Sequence, residues 1–507
     1  MPTSSSSSAL SPAGAPSCPP PRCSSSPNFL LSPLRPRDTL LDVKTLWTPN
    51  SLRVALVGSN HSGKTVFLTS LLANLIDHDP QTFYLCGWNV EEAGLAEEPM
   101  DGLPPFPYAK YRAELSAAEG HPAPEWPEKT YGVSLACLRL VLNKRHHYRL
   151  RELEFLDLPG ELVADFDMCN RSYEAWSRHL SPRLALAAPD AAARYAQAAK
   201  ALLDAADRGR KAVVALRPAL CDLYKQFVAV LYRANACAIL TPSVLRAPLD
   251  GRSVGRTPDA YAATLPSLPC GLAGAEFCPL PDVLLDHPRA APLVQAFADG
   301  YERYRRRLVL PVVSWLRHAD VALYLVDVLT LLAGGTDAYN AELALAPAVL
   351  DVFRNRRFGH TFLGRQLARA IDALCLTHVS QLLLVAPKAD LVPPDQRDHL
   401  VALARRLFRQ KPYALNIPDV RALSCAAVLT TRPARERASG ADRLHATFAD
   451  GPRLAPPLQI PAEWPADDWP PGRYAYDESL PPFPRRLNQP PPQLGLDDIA
   501  RLLLRLD

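Results

Sequence analysis

The chain has 507 residues, 48% of them hydrophobic and 21% charged, the balance of a soluble globular protein with two ordinary domains or one α/β core carrying a large insertion. A formal net charge of +4 is too small to argue for a nucleic-acid footprint, which needs a clustered basic face. No run of 18 apolar residues offers a transmembrane helix, and eleven cysteines without a CxxC pair point to a reduced, cytoplasmic thiol population.

Met1 to Arg37 is rich in Ser and Pro with no acidic residue before Asp38. It reads as a disordered tail, or a start placed too early, in preference to an organelle transit peptide, because no amphipathic Arg stripe is present. Order is expected from about Leu52. Val54-Ala55-Leu56-Val57 is an apolar run fit for a buried parallel strand, and Val66, Phe67, Ser70, Leu71, Asn74 and Leu75 recur at helical spacing after it. Residues 79–130 are irregular and rich in Pro. Val133 to Leu142 and Arg151 to Leu156 read as two strands of an antiparallel hairpin joined at Asn143 to His147.

Residues 170–235 have helical periodicity, and residues 240–290 read as loop. A helix is expected from Ala291 to about Arg317, kinked or broken at Pro311. Val321 to Val328, Gln381 to Ala386 and, more weakly, Ala422 to Val428 complete the strands. The Pro-rich residues 455–493, with Trp464 and Trp469, should lie extended across the body, and Leu496, Ile499, Leu503 and Leu506 mark a closing helix. The organisation predicted is a tail over 1–45, an α/β core over 46–165 and 311–450, a mostly helical insertion over 166–310, and a C-terminal segment over 451–507.

Gly58-Ser59-Asn60-His61-Ser62-Gly63-Lys64-Thr65 fits GxxxxGK[ST] between a strand and a helix. In such a P-loop the glycines let backbone N–H groups turn inward around phosphates. Here Gly58, Asn60, Ser62 and Gly63 would form the cradle, Lys64 would meet the β- and γ-phosphates, and the Thr65 hydroxyl would ligate Mg²⁺. Asp157-Leu158-Pro159-Gly160 closes a strand with DxxG. Asp157 stands where a P-loop protein holds its Mg²⁺ through water, and the Gly160 N–H could sense a γ-phosphate. Glu161 follows, where it could orient water or simply be an exposed turn residue. Thr130 precedes the hairpin, where a switch Thr could close over the metal.

Pro387-Lys388-Ala389-Asp390 is similar to the guanine-reading [NT]KxD element. There the Asp accepts from guanine N1–H and the 2-amino group, donors that adenine lacks, while the Lys stem covers the base. Ser424-Cys425-Ala426 could offer a backbone N–H to guanine O6. The Arg303, Arg305, Arg306 and Arg307 cluster reads as a solvated helix face ahead of an arginine finger or an anionic-lipid contact.

Together with Trp126-Pro127-Glu128-Lys129-Thr130, Ser172-Tyr173-Glu174-Ala175-Trp176-Ser177, Val326-Asp327-Val328-Leu329 and Leu494-Gly495-Leu496-Asp497, these motifs resemble the YcjX-like family of predicted P-loop NTPases over nearly all of the chain beyond residue 40. The resemblance implies a P-loop NTPase fold of the α/β class: a Ras-like mixed sheet, an antiparallel hairpin after the P-loop helix, and large helical insertions. It also implies a loose association with stress responses. The chain departs from the family at Pro387, which the family usually fills with Thr.

The expectation is a slow switch that binds GTP and GDP with Mg²⁺ and signals to a protein effector. It has no nucleic-acid partner and no transmembrane segment, and it leaves room for peripheral membrane contact. An ATPase with the same P-loop and a non-hydrolysing nucleotide-binding scaffold are the alternatives.

Overall fold

The structure is a computed structural model that describes residues 51–59, 62–96, 103–115, 126, 132–207, 209–233, 263, 265, 268, 270–272, 274–353, 379–409, 419–435, 442–448, 451–454, 458–476 and 489–506. Its centre is a seven-stranded mixed sheet. The strands are β1 (Ser51–Gly58), β2 (Asn89–Leu95), β3 (Ser134–Lys144), β4 (His147–Asp157), β5 (Val321–Leu325), β6 (Gln381–Ala386) and β7 (Asp419–Ser424). They lie in the order β2-β3-β4-β1-β5-β6-β7. The five from β4 to β7 run parallel, β3 is antiparallel to β4, and β2 is antiparallel to β3.

The parallel strands read as unbroken apolar runs because helices cover both faces: every residue of β5 is buried, as are Val54 to Val57 of β1. The β3–β4 hairpin is present and longer than expected. Its strands pair from Ser134↔Asp157 to Lys144↔His147 across Arg145 and His146, which hold φ 51 and 68. Two left-handed residues give the turn the twist that the flanking strands need.

Three strand expectations need correction. β5 stops at Leu325 instead of Val328, because Asp327 turns the chain into a helix: its Oδ1 accepts from the Thr330 N–H at 3.1 Å. β7 begins at Asp419, three residues before the apolar run at Ala422; it is an edge strand with Val420 45% exposed, so its first half carries no apolar signal. β2, acidic and mostly exposed, lies within residues 79–130, read as irregular.

One face of the sheet carries α1 (Lys64–Ile76), whose Phe67, Leu71 and Leu75 share a core with Leu496, Ile499 and Leu503 of the closing helix. The expected helices of residues 170–235 are α2 (Tyr173–Ala187), α3 (Pro189–Ala205) and α4 (Arg217–Arg233), with a short helix at Arg210–Val214. They pack with α5 (Ala291–Tyr304) on the core that also lies under the opposite sheet face. The helix after Ala291 continues to Leu316 by widening into a π-turn at Arg305–Val309. That turn removes the clash of the Pro311 ring with the preceding turn and the need for its missing N–H.

α6 (Val328–Val352) is broken at Gly335, which holds φ 82. A Cβ there would lie 2.9 Å from Trp469 O and from Pro471 N. The break frees carbonyls that the Pro-rich segment satisfies. Leu332 O accepts from Trp469 Nε1 at 2.9 Å and Ala333 O from the Gly472 N–H at 2.7 Å. In its described parts, 458–476 and 489–493, this segment lies across the body as expected, with Trp464 and Trp469 tilted against the Tyr339 ring. No local signal announces the three-stranded sheet Thr431–Arg435, Asp442–Phe448 and Gly451–Leu454, nor α7 (Arg397–Arg409). α8 (Leu496–Leu504) closes the chain as expected.

Candidate functional site

The carboxyl ends of β1, β4, β5, β6 and β7 meet the candidate residues. β1 ends at Gly58, and a Cβ at that position would stand 2.7 Å from Ser62 Oγ and 2.8 Å from Leu325 O. Only glycine lets the loop fold back so closely over β5. Ser62 Oγ donates to Ser59 O at 2.8 Å, and Gly63, at φ 80, is the N-cap of α1. The first turn of α1 holds no acidic residue of its own.

The Lys64 ammonium curls back over this turn. It donates to Gly58 O at 3.0 Å, Ser59 O at 2.8 Å and Ser62 Oγ at 3.3 Å. The neighbouring Thr65 Oγ1 donates to Asp157 Oδ2 at 3.3 Å. Asp157 is the last residue of β4 and is fully buried, so two oxygen donors 92 positions apart in the chain meet beside the loop. Gly160 opens a 3₁₀ run to Asn170. Asn60, His61, Thr130 and the Glu161 side chain lie outside the described residues.

Behind the loop stands Glu342 of α6, a residue that the sequence reading did not single out. It is fully buried, and its Oε1 accepts from the Tyr324 hydroxyl at 2.6 Å. Oε2 has no hydrogen-bond partner among the described residues. Burial pushes its carboxyl up to about 7; the Tyr324 hydroxyl, Lys64 and Ser59 act against that rise and Asp327 adds to it. A lone Glu in the apolar stretch Ala341 to Leu350 was the available signal.

At the carboxyl end of β6, Lys388 and Asp390 follow the strand directly. Lys388 holds φ 63 and its ammonium meets Asp327 Oδ2 at 2.7 Å, Tyr476 OH at 2.8 Å and Thr330 Oγ1 at 3.2 Å. The same ammonium lies 5.1 Å from the Tyr476 ring centroid. Asp390 is 3% exposed, and its Oδ2 accepts from both the N–H and the hydroxyl of Thr430, each at 2.7 Å. Burial raises the Asp390 carboxyl, and the two Thr430 bonds oppose that rise.

Ser424 ends β7. The Cys425 N–H donates to Ala386 O at 2.9 Å and the Ala426 N–H to Leu494 O at 2.8 Å. The chain thus leaves this loop at Ala426 and returns to it at Leu494 in a two-way bridge. Sequence reading missed Asp327, Thr430 and Tyr476 as partners of Lys388 and Asp390. Only Asp327 lay in a quoted motif; the others come from residues with no local signature.

The model of the YcjX-like family, DUF463, matches residues 52–506. The chain belongs to the YcjX-like family. Among curated relatives, the "Ras-like GTPase YcjX" of Escherichia coli (strain K12) is 28% identical over 384 residues, covering 71% of this chain and 73% of that protein. The protein of the same name from Shewanella oneidensis is 25% identical over 405 residues, covering 75% and 77%. No helix among the described residues is long and apolar enough to cross a membrane.

Proposed function

We propose that this YcjX-like chain is a slow nucleotide switch that binds GTP and GDP with Mg²⁺ at the loop Gly58 to Thr65. One observation carries the reading: the Lys64 ammonium is seated on the carbonyls of Gly58 and Ser59 at a helix N-terminus, beside a Thr65 hydroxyl 3.3 Å from Asp157. A phosphate at that point would exchange the carbonyl bonds of Lys64 for stronger charge-assisted ones. Thr65 and Asp157 are hard oxygen donors that suit Mg²⁺. Among the described residues no group of three or more His, Cys, Asp or Glu could hold a metal ion, which agrees with an ion that takes most ligands from phosphate and water. When bound, Mg²⁺ supplies neutralising charge along the phosphates.

The hairpin beside β1 supports a Ras-like core, as does the name of the relatives. In this reading Gly160 is the backbone group that feels a γ-phosphate and Glu161 orients water. Thr130 would add a ligand to the metal, and an effector reads the loop that starts at Gly160. Lys388, Asp390, Ser424 and Cys425 surround the base. Turnover is slow, roughly 10⁻⁴ to 10⁻² per second, because no Gln follows Gly160 and the Arg303 to Arg307 cluster is spent partly on Glu302.

A second reading is favoured by the Thr430 bonds to Asp390: the chain binds a triphosphate without selecting its base. Parallel titration with GDP and ADP separates the two, and a phosphate-release assay sets the rate. The first reading expects tighter GDP binding. Equal affinities would promote the second, and binding of neither nucleotide would defeat both.

A further inference from the structure

Away from the candidate nucleotide site, three buried cysteines from two distant stretches of sequence converge. Cys221 lies in the first turns of α4, and Cys270 and Cys278 flank the small ribbon Gly271–Leu272 and Ala275–Glu276. Cys270 Sγ donates to Cys221 O at 3.7 Å. The Tyr195 hydroxyl sits 3.7 Å from Cys278 Sγ. All three thiols are free.

A cavity of about 520 Å³ adjoins the cluster, and both Cys221 and Cys270 line it. Lys211, Arg217 and Lys225 stand around the same cavity, against Asp222 and Glu276. Cys278 does not line it and closes the cluster from behind. Cys270 keeps its S–H on the Cys221 carbonyl, while Lys225, one turn along α4 from Cys221, lines the same cavity; the neighbouring thiols and Lys225 draw Cys221 below the ordinary thiol range. The thiolate is the reactive form, so Cys221 is the sulfur poised to react and Cys270 the sulfur beside it.

We propose that Cys221 and Cys270 form a dithiol–disulfide site oxidised by a small hydroperoxide that enters through this cavity. The Cys221 thiolate attacks the outer peroxide oxygen. The O–O bond breaks, the alcohol or water leaves with a proton, and Cys221 becomes a sulfenic acid. The Cys270 thiol then attacks the Cys221 sulfur. The S–O bond breaks, water leaves and the S–S bond forms. Two thiols lose two electrons in total, and one peroxide is reduced. The new bond ties α4 to the ribbon across 49 positions of sequence.

The test treats the full chain with a few equivalents of hydrogen peroxide, blocks remaining thiols in acid, and maps linked peptides by mass spectrometry. The expected product is a Cys221–Cys270 link that a reductant reverses. In Cys270→Ser, dimedone should trap a sulfenic acid on Cys221, while circular dichroism checks that the helices survive. Cys221 and Cys270 staying reduced while the half-buried Cys86 is oxidised would overturn the proposal. A Cys221–Cys278 link as the main product would overturn the pairing.

Discussion

At the phosphate end, Gly58, Ser62, Lys64 and Thr65 sit within one short loop and call on a single distant strand end, Asp157. At the base end, Lys388 and Asp390 are held by Asp327, Thr330, Tyr476 and Thr430, which come from three separate places in the chain, the turn into α6 supplying the first two. In the first arrangement the ammonium rests on oxygens of its own loop and the Thr65 hydroxyl on Asp157, all at one helix N-terminus. In the second the donors and acceptors are engaged with residues far away in the sequence. A loop that recognises phosphate can be written in consecutive residues, because backbone N–H groups do most of the work. A base-reading surface must be assembled from side chains at sheet-strand ends, and an insertion anywhere downstream can rebuild it.

Lys64→Ala is the strongest way to break the comparison. If the phosphate end provides the binding energy, this variant loses at least about a hundredfold in affinity for any nucleoside diphosphate, since an unpaired phosphate charge costs several kcal/mol. Its circular dichroism should match the wild type. Unchanged affinity, measured by titration calorimetry, would remove the phosphate end from the proposal.

Glu342 allows the phosphate end to be sharpened through pH. The native state keeps a proton on this carboxyl that the unfolded chain gives up near 4.5, because burial lifts the group to about 7. The stability it contributes is therefore present below about 4.5 and is lost as pH rises through about 7, by at most about 3 kcal/mol. Glu342→Gln holds the neutral form permanently and can still accept from Tyr324. Urea melts between pH 5 and pH 8.5 should fall for the wild type and stay nearly level for the variant. Parallel curves would assign the pH response to other groups. Lys64, Asp327, Ser59 and Tyr324 face Glu342, so its ionisation also reports on the charge seated in the loop.

The same contrast explains how much could be read from the sequence. β1, β6 and the β3–β4 hairpin were legible because burial on both faces leaves apolar runs, and because a polar gap of a few residues marks a hairpin. The loop residues Gly58 to Thr65 were legible as a motif. β7 was misplaced, since exposed Val420 and Arg421 at the sheet edge carry no apolar signal, whereas Cys425, Ala426 and Val428 are buried in loop. α6 was not foreseen, because Gly334-Gly335 reads as a stop; only the Trp469 segment packed into the break explains the second glycine. Thr430 and Tyr476 belong to the stretch between Ala426 and Leu494, and nothing local announces that this stretch begins and ends at the base loop.

The smallest expected effect is at the base. A carboxylate that offers both oxygens to guanine N1–H and the 2-amino group would be worth about 1–3 kcal/mol of discrimination against adenine. Here Asp390 Oδ2 already accepts twice from Thr430, so the margin should sit near the lower limit, about 1 kcal/mol, the worth of one net hydrogen bond. Pro387 removes the side chain that would tie this loop to the phosphate end, but Thr430 and the Ala389 N–H bond to Cys425 O at 2.9 Å hold it instead, so Asp390 is fixed in place. Asp390→Asn should erase the preference for GDP over ADP and spare xanthosine diphosphate, whose position 2 is a carbonyl that an amide can meet. Thr430→Ala removes one of the two competing donors while keeping the backbone bond, so it should widen the guanine margin. Competition of the three diphosphates against one fluorescent nucleotide reads all of these at once. A wild type that already binds GDP and ADP equally, with no gain in Thr430→Ala, would leave Asp390 as a structural carboxylate and the phosphate end as the whole of the recognition.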